Sequence, residues 1–155
     1  VGRGRCVYGS VVVAYASKKI VRPVKWVAER SESFISDNHG RDHVTHAELA
    51  VNSDGKITGI KVDTIANLGA YSLVLAAVTP TYLYAPLLLG IYDIPTACCT
   101  VKGVYTNTAP TDAYRGAGRP EATYVIDRIA VSYTHTRTQE TVLGLACRLI
   151  VEIKH

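Results

Sequence analysis

Charge and paired cysteines are both scarce in this sequence, and each shortage excludes a class of protein. Charged residues make up 19% of the 155 residues, and the net charge is +4 at pH 7. This excess is small and dispersed, so we predict no nucleic-acid partner; a small nucleic-acid-binding protein, resting on Arg3 and Arg5, is a distant alternative. No C-x-x-C pair occurs, so neither a zinc site nor a disulfide framework is predicted for Cys6, Cys98, Cys99 and Cys147. A reducing cytoplasm is the simpler setting.

A secretory signal and a long apolar run are also lacking. The start of the sequence has no compact apolar region followed by a small-residue cleavage site. The longest uncharged stretch, residues 68–92, contains Pro80 and Pro86 together with several hydroxyl side chains. Because proline breaks helices, this stretch makes a poor membrane-spanning helix, and we predict no membrane span. Burial inside a large soluble protein explains the stretch better.

Hydrophobic residues make up 48% of the composition, and the order of the predicted helices and strands indicates an α+β fold. Alternation over Arg41–Val51 and Lys56–Ala66, with Asn52–Gly55 between them, predicts a β-hairpin. The other predicted elements are, in chain order, a helix over Ser10–Ile20, a strand over Pro23–Val27, a polar loop through His39, short helix with loop over Val74–Gly90, a strand over Thr96–Tyr105 and a helix over Pro120–Ala130. The predicted fold class is α+β, a β-hairpin plus mixed strands with packed helices.

Two histidines, His43 and His46, are three residues apart, which is a metal-ligand spacing on helices. They fall in the predicted hairpin, where this spacing puts the two side chains on opposite faces of the sheet. We therefore predict no metal site at this pair.

The most informative stretch is residues 112–123. Gly116 and Gly118 permit backbone conformations that are closed to other residues. Arg115 and Arg119 flank them with fork-shaped donors suited to an oxyanion, and the proline that follows suits the first position of a helix. A loop that leads into a helix N-terminus in this way can hold an anion. An ordinary strand-to-helix turn with solvated arginines fits the same spacing, so the pattern alone leaves both interpretations open.

Several motifs in a fixed order resemble the large subunits of the xanthine oxidase family of molybdenum hydroxylases. The motifs are Arg22–Trp26, Glu29–Glu32, His39–His43, Ile65–Tyr71, Asn107–Pro110 and Ala113–Glu121. The resemblance covers roughly residues 14–130. It is closest to large subunits of the aerobic carbon monoxide dehydrogenase group, in the second, CO dehydrogenase-like form. It implies that the chain is a fragment of the molybdopterin-binding domain.

The resemblance implies oxidative hydroxylation of a small substrate at a molybdenum centre. The metal is then held by molybdopterin, with the cytosine dinucleotide as a candidate form, and by no side chain. The residues implied to line the cofactor and its substrate side are Tyr114, Arg115, Gly116, Ala117, Gly118 and Arg119. The backbone N–H groups of Gly116–Gly118 and the Arg115 guanidinium are implied to stabilise developing charge. Iron–sulfur and flavin subunits are the implied partners.

Three positions narrow the substrate. The CO-oxidising form of the family has a copper-binding cysteine where this chain has Gly116, so copper-dependent CO oxidation is not expected. Purine-oxidising relatives have an aromatic residue where Ala117 stands, and an arginine where Leu83 aligns, so purines are not expected either. An aldehyde or an N-heterocycle remains, and the sequence does not choose between them.

Both ends of the chain depart from the family pattern. Residues 1–131 match a partial molybdenum cofactor-binding domain, although Val1–Cys6 lacks the aromatic of the family's glycine-rich turn. Residues 132–155 are an atypical tail, because residues 132–138 are weak helix formers and a separate helix is the candidate structure for Gln139–Ile153.

The family's catalytic glutamate lies near the C-terminus of a much longer subunit. No glutamate aligns with it, so no catalytic residue is predicted here, and we interpret the carboxylates as solvated or structural: Glu29, Glu32, Glu48 and Glu121. We expect the chain alone to be inactive. Two classes of function stay open, namely part of a hydroxylase large subunit, or a non-catalytic truncated or frameshifted remnant with at most a subunit-interaction role.

Overall fold

A β-hairpin forms the centre of the structure, a computed structural model that describes residues 4–139 and 149–154. Strand β1 spans His43–Val51 and pairs antiparallel with strand β2, Ile57–Gly69. The register places Ala47 opposite Val62, and both side chains are fully buried. Alternation along both strands buries one face of the hairpin, which confirms the prediction.

The turn of the hairpin is closed by Asn52. Its side-chain Oδ1 accepts the N–H of Lys56 at 2.7 Å, and its backbone carbonyl accepts the N–H of Gly55 at 3.0 Å. Gly55 has a φ of 79°, a left-handed conformation that glycine adopts without steric cost. The predicted turn at Asn52–Gly55 is confirmed.

Two more strands complete a four-stranded sheet in the order β3–β2–β1–β4. Strand β3, Ala97–Tyr105, lies parallel to β2 and confirms the strand predicted there. Strand β4, Leu149–Lys154, lies antiparallel to β1, so the helix considered for Gln139–Ile153 is wrong in this part. The β-branched residues of β4 pair with the backbone edge of β1, which explains the difference. Residues 140–148 lie outside the described residues.

One face of the sheet is covered by helix α3, Arg119–Gln139, and by residues 84–94. Two further helices precede the hairpin, α1 at Gly4–Ile20 and α2 at Arg30–Ser36. The core consists of Ala47, Leu49, Ile60, Val62, Tyr84, Leu88, Ile94, Ala122, Val125, Ile126 and Ile129. Its α3 members follow a helical spacing of three and four residues, which puts them on one face. The α+β fold class and the helix predicted over Ser10–Ile20 are confirmed.

Helix α3 continues past its predicted end at Ala130. The Ser132 and Thr134 hydroxyls donate to carbonyls four residues earlier, each at 2.9 Å, so these weak helix formers satisfy their own polar groups. The Tyr133 hydroxyl donates to the Gly55 carbonyl at 2.7 Å, which fastens the helix to the hairpin turn. Tertiary contact therefore overrides local propensity. The division of the chain after residue 131 stays a prediction.

Two local predictions before the hairpin are wrong. Pro23–Val27 lies in no strand; the Trp26 ring instead packs on α1, where a Cβ on Gly9 would be 2.2 Å from a ring carbon. The polar loop through His39 contains helix α2. Residues 74–90 form turns with one short 3-10 helix, Ala85–Leu87, which confirms the short helix with loop predicted over Val74–Gly90. Of the glycine-rich turn expected at residues 1–6, residues 4–6 begin α1 and residues 1–3 lie outside the described residues.

The strand geometry of β1 confirms that His43 and His46 lie on opposite faces of the sheet. His43 is buried on the core face, whereas His46 is half-exposed on the opposite face. The described residues contain no group of three or more His, Cys, Asp or Glu side chains placed to hold a metal ion. Every helix within residues 4–139 and 149–154 is too short or too polar to span a bilayer.

Ile129→Ala tests the core between α3 and the hairpin. Ile129 is fully buried, so the truncation should lower the free energy of unfolding by about 2–5 kcal/mol. Val131→Ala, at a position 48% exposed on the same helix, is the control and should change it by about 0.5 kcal/mol or less. Urea denaturation measures both. Equal losses for the two variants would contradict this placement of the core.

Several large apolar side chains between β2 and β3 are exposed. Val74 is 87% exposed, Tyr82 77% and Ile91 97%. Exposed apolar patches favour association, so the chain should self-associate at micromolar concentrations. Val74→Ser combined with Ile91→Ser should reduce this association in light scattering, whereas Thr58→Ser, also exposed, should not. A monodisperse monomer before any substitution would contradict the prediction.

Candidate functional site

The loop between β3 and α3 turns through three successive left-handed residues. Gly116, Ala117 and Gly118 have φ values of 90°, 40° and 86°. The Ala117 N–H donates to the Tyr114 carbonyl at 2.8 Å, and the Arg119 N–H donates to the Gly116 carbonyl at 3.2 Å. A left-handed alanine is disfavoured and persists only where its surroundings hold it. The turn is therefore a fixed structure.

Gly118 allows this turn to rest directly on the segment that precedes β3. A Cβ on Gly118 would lie 2.4 Å from the Leu83 carbonyl oxygen and 2.8 Å from that of Thr79. No side chain fits there, so glycine is required for space as well as for φ. Leu83, the position aligned with the purine-recognising arginine, thus lies beside the loop.

The predicted site residues share this loop but differ in exposure. Tyr114 is 53% exposed, and the three others on the open side are Arg115, Gly116 and Arg119. Ala117 is half-buried and Gly118 is buried. The Ala117 N–H is used inside the turn, so the expectation that the N–H groups of 116–118 all face a developing charge is wrong for Ala117.

Asn67 near the end of β2 fastens the approach to the loop. Its Nδ2 donates to the Thr108 hydroxyl at 3.0 Å and to the Asp42 carboxylate at 2.6 Å. Its Oδ1 accepts the Gly69 N–H at 2.7 Å and the Thr106 hydroxyl at 2.8 Å. One amide side chain thus joins three segments of the chain.

Residues 39–41 lie beside the loop and pair with it. The His39 N–H donates to the Pro110 carbonyl at 2.9 Å, and the His39 carbonyl accepts the Asp112 N–H at 2.8 Å. The Asp112 carboxylate accepts the Leu75 N–H at 3.1 Å, which ties the loop to the segment after β2. A Cβ on Gly69 would lie 2.3 Å from the Pro110 Cα, so β2 and the loop are in backbone contact.

Two residues of this site were not recognised from the sequence, Arg41 and Glu121. The Arg41 Nη2 donates to the Arg115 carbonyl at 2.6 Å, and its Cζ lies 4.9 Å from the centre of the Tyr114 ring. Its Nε is 3.9 Å from Oε1 of Glu121, which is only 4% exposed. Glu121 lies four residues before Val125 on the core face of α3, and this spacing could have revealed that it is buried rather than solvated.

A cavity of about 760 Å³ opens beside Tyr114. Its lining includes the cations Arg30 and Arg41, the Asp37 carboxylate and the rings of Phe34 and His39. An open surface with charges of both signs and several rings therefore adjoins the loop.

Beneath the loop, Tyr84 is buried in the core. Its hydroxyl lies 3.0 Å from the Thr64 hydroxyl, and its ring meets the His43 ring edge-on at 5.4 Å. Burial raises the pKa of the Tyr84 phenol, so this group stays neutral at physiological pH. Tyr84 therefore supports the sheet from the core, through its packing and its hydroxyl contact with Thr64.

Comparison with known proteins assigns the chain to a family. The family described as "Molybdopterin cofactor-binding domain" matches residues 2–135. The chain belongs to this family. The resemblance to xanthine oxidase family large subunits is thereby confirmed, and the hairpin, β3 and α3 are parts of a molybdopterin-binding domain.

Two curated relatives show the extent of the match. The carbon monoxide dehydrogenase large chain of Hydrogenophaga pseudoflava is 44% identical over 78% of this chain and 15% of its own length. The 6-hydroxypseudooxynicotine dehydrogenase complex subunit gamma of Paenarthrobacter nicotinovorans is 36% identical over 77% of this chain and 15% of its own. This chain thus spans about 15% of the length of these relatives.

A solved structure shows the same fold. The CO dehydrogenase of Oligotropha carboxidovorans superposes with a TM-score of 0.68 and 35% identity, over 83% of this chain and 16% of that one. The two curated relatives are each named as one chain or subunit of an enzyme.

The loop fits a bound molybdopterin in one respect that the structure itself shows. Gly116 is exposed, carries no side chain and lies between two exposed arginines. Among the described residues, no hydrogen bond uses the Gly116 N–H. An anionic oxygen can approach this backbone without displacing a side chain.

Gly118→Ala tests the close approach of the loop to residues 79–83. Gly90→Ala is the matched control, because Gly90 also has a positive φ, 55°, but its Cβ would have its nearest neighbour at 3.5 Å. Both variants carry the left-handed strain, and only Gly118→Ala adds a clash at 2.4 Å. The free energy of unfolding should fall further for Gly118→Ala than for Gly90→Ala, by about 1 kcal/mol or more. The melting temperatures of the two variants check this difference. Equal losses would show that the loop does not rest on this segment.

Proposed function

We propose that this chain supplies one wall of the molybdenum site in a hydroxylase large subunit. The wall consists of Tyr114, Arg115, Gly116, Ala117, Gly118 and Arg119. The observation that carries the proposal is the left-handed turn, which presents the bare backbone of Gly116 between two exposed arginines. The family match supplies the identity of the group that such a wall contacts.

Molybdopterin, proposed here as its cytosine dinucleotide, supplies the redox chemistry at molybdenum when it is bound. Within this chain, the Arg115 guanidinium and the Gly116 N–H bind oxyanions and stabilise negative charge that develops on the substrate. Arg119 contributes less, because its Nη1 turns back toward the Gly116 carbonyl at 3.5 Å. Gly118 serves packing, since it is buried against residues 79–83.

The substrate class we propose is an aldehyde or an N-heterocycle. Gly116 offers no thiol for copper, which disfavours CO. Leu83 and Ala117 both adjoin the turn and offer neither a guanidinium nor an aromatic ring, which disfavours purines. A small, weakly polar substrate fits these side chains.

Iron–sulfur and flavin subunits are the partners we propose, since electrons from the hydroxylation have to leave the molybdenum site. The relatives' names, a large chain and a complex subunit, support an assembly of this kind. The location we propose is the cytoplasm. The free thiols of Cys98 and Cys99 on β3 support a reducing compartment.

Arg115→Ala in a full-length large subunit that carries this segment tests the proposal. Removing one charge-stabilising donor should lower kcat on the order of 100-fold, which is about 2.7 kcal/mol of barrier. Arg128→Ala, at an exposed arginine on α3, is the control and should retain kcat within about twofold. Molybdenum content, measured alongside, separates lost catalysis from lost cofactor. Equal kcat values for the two variants would contradict the site, and a wild-type assembly without turnover would favour the non-catalytic remnant.

A further inference from the structure

One guanidinium, that of Arg41, contacts three separate parts of the candidate site. It donates to the Arg115 carbonyl at 2.6 Å, stacks over the Tyr114 ring at 4.9 Å and lies 3.9 Å from the Glu121 carboxylate. Arg41 is 74 residues from Arg115 along the chain. Two of its contacts are with the residues that precede the left-handed turn, and the third is with the helix that follows it.

The backbone around Arg41 is itself constrained. Arg41 has a φ of 61°, which is rare for a residue with a side chain. A Cβ on the preceding Gly40 would lie 2.9 Å from the Tyr114 Cβ, so this backbone is pressed against the loop. Such conformations persist where the surroundings hold them, and here they aim the Arg41 side chain at the loop.

Glu121 gives Arg41 an anchor in the protein interior. Its carboxylate is 4% exposed, and its Oε2 is buried without a hydrogen-bond partner among the described residues. A buried carboxylate with an unfilled acceptor is costly unless a cation is near. Arg41 is 39% exposed and provides that cation from the solvent side. This ion pair joins the loop region to the core helix α3.

We propose that Arg41 is a positioning residue, whose guanidinium fixes Tyr114 and Arg115 by linking them to the buried Glu121. A planar fork can donate to a carbonyl, stack on a ring and face a carboxylate at once, which an ammonium group cannot do. That the fixed placement of Tyr114 and Arg115 serves catalysis rests on the proposed function. The fixed placement itself is independent of that function.

Limited trypsin digestion of the full 155-residue chain measures how firmly the backbone at Arg115 is held. Trypsin cleaves after arginine and lysine but not before proline, so within the loop it attacks Arg115–Gly116 and spares Arg119–Pro120. The Lys102–Gly103 bond in β3 is the internal standard, because it becomes faster only when the sheet opens. Mass spectrometry gives the initial rate at each bond.

Arg41→Ala should raise the rate at Arg115–Gly116 about tenfold and leave Lys102–Gly103 unchanged. Arg41→Lys should give a smaller rise, because lysine keeps the charge beside Glu121 but neither stacks as a plane nor donates as a fork. Arg128→Ala is the matched control and should change neither rate. If Arg41→Ala does not fold, Arg41→Lys decides. No rise at Arg115–Gly116, or an equal rise at both bonds, would overturn the proposal.

Activity separates this inference from the proposed function. In the assembled enzyme, Arg41→Lys should lower kcat several-fold, with KM changed less, because the loop loses alignment rather than a substrate contact. Faster cleavage of Arg115–Gly116 with unchanged kcat would contradict the proposed function and support the positioning role. Unchanged cleavage would contradict the positioning role, whatever kcat shows.

Discussion

Packing of α3 against the inner face of the hairpin is the constraint on which the rest of the structure depends. Residues 122–129 of the helix share one core with Ala47, Leu49, Ile60 and Val62, and the helix begins three residues before this contact. The turn of Gly116–Gly118 therefore has a fixed end point at Arg119. Glu121 is carried into the interior by the same packing, one turn from the loop, and this brings a carboxylate within reach of Arg41.

The elements with strong local patterns were predictable from the sequence. The hairpin alternates with a period of two and has an Asn52–Gly55 turn, and β3 and the start of α3 have similarly clear boundaries. Elements whose structure depends on contacts with residues far away in the sequence were not predictable in this way. The sequence of Pro23–Val27 predicts a strand, but the segment lies outside the sheet and the Trp26 ring packs on α1. The hydroxyl-rich end of α3 has a low helix propensity, and it is helical because the Tyr133 hydroxyl bonds to the Gly55 carbonyl in the hairpin turn.

The same distinction applies to the site. The loop residues 114–119 could be proposed as a candidate site from the sequence because they are contiguous and resemble a known motif. Arg41 and Asn67 could not be given their roles, because their partners lie 74 and up to 41 residues away. Neither contact leaves a periodic signal in the chain. The exception is Glu121, where the spacing to Val125 and Ile129 is a local sign of burial.

The backbone at Gly116 leaves little room for a side chain in its present conformation. Gly116 has a φ of 90°, a conformation that cysteine rarely adopts. A Cβ at this position would lie 2.7 Å from Cγ of Pro120, the second residue of α3, so the side chain would push against the start of the helix. A side chain here would require either the Pro120 ring or the turn to shift. The turn is held on both sides, by Gly118 against residues 79–83 and by Arg41 on the Arg115 carbonyl, so the backbone itself favours glycine at position 116.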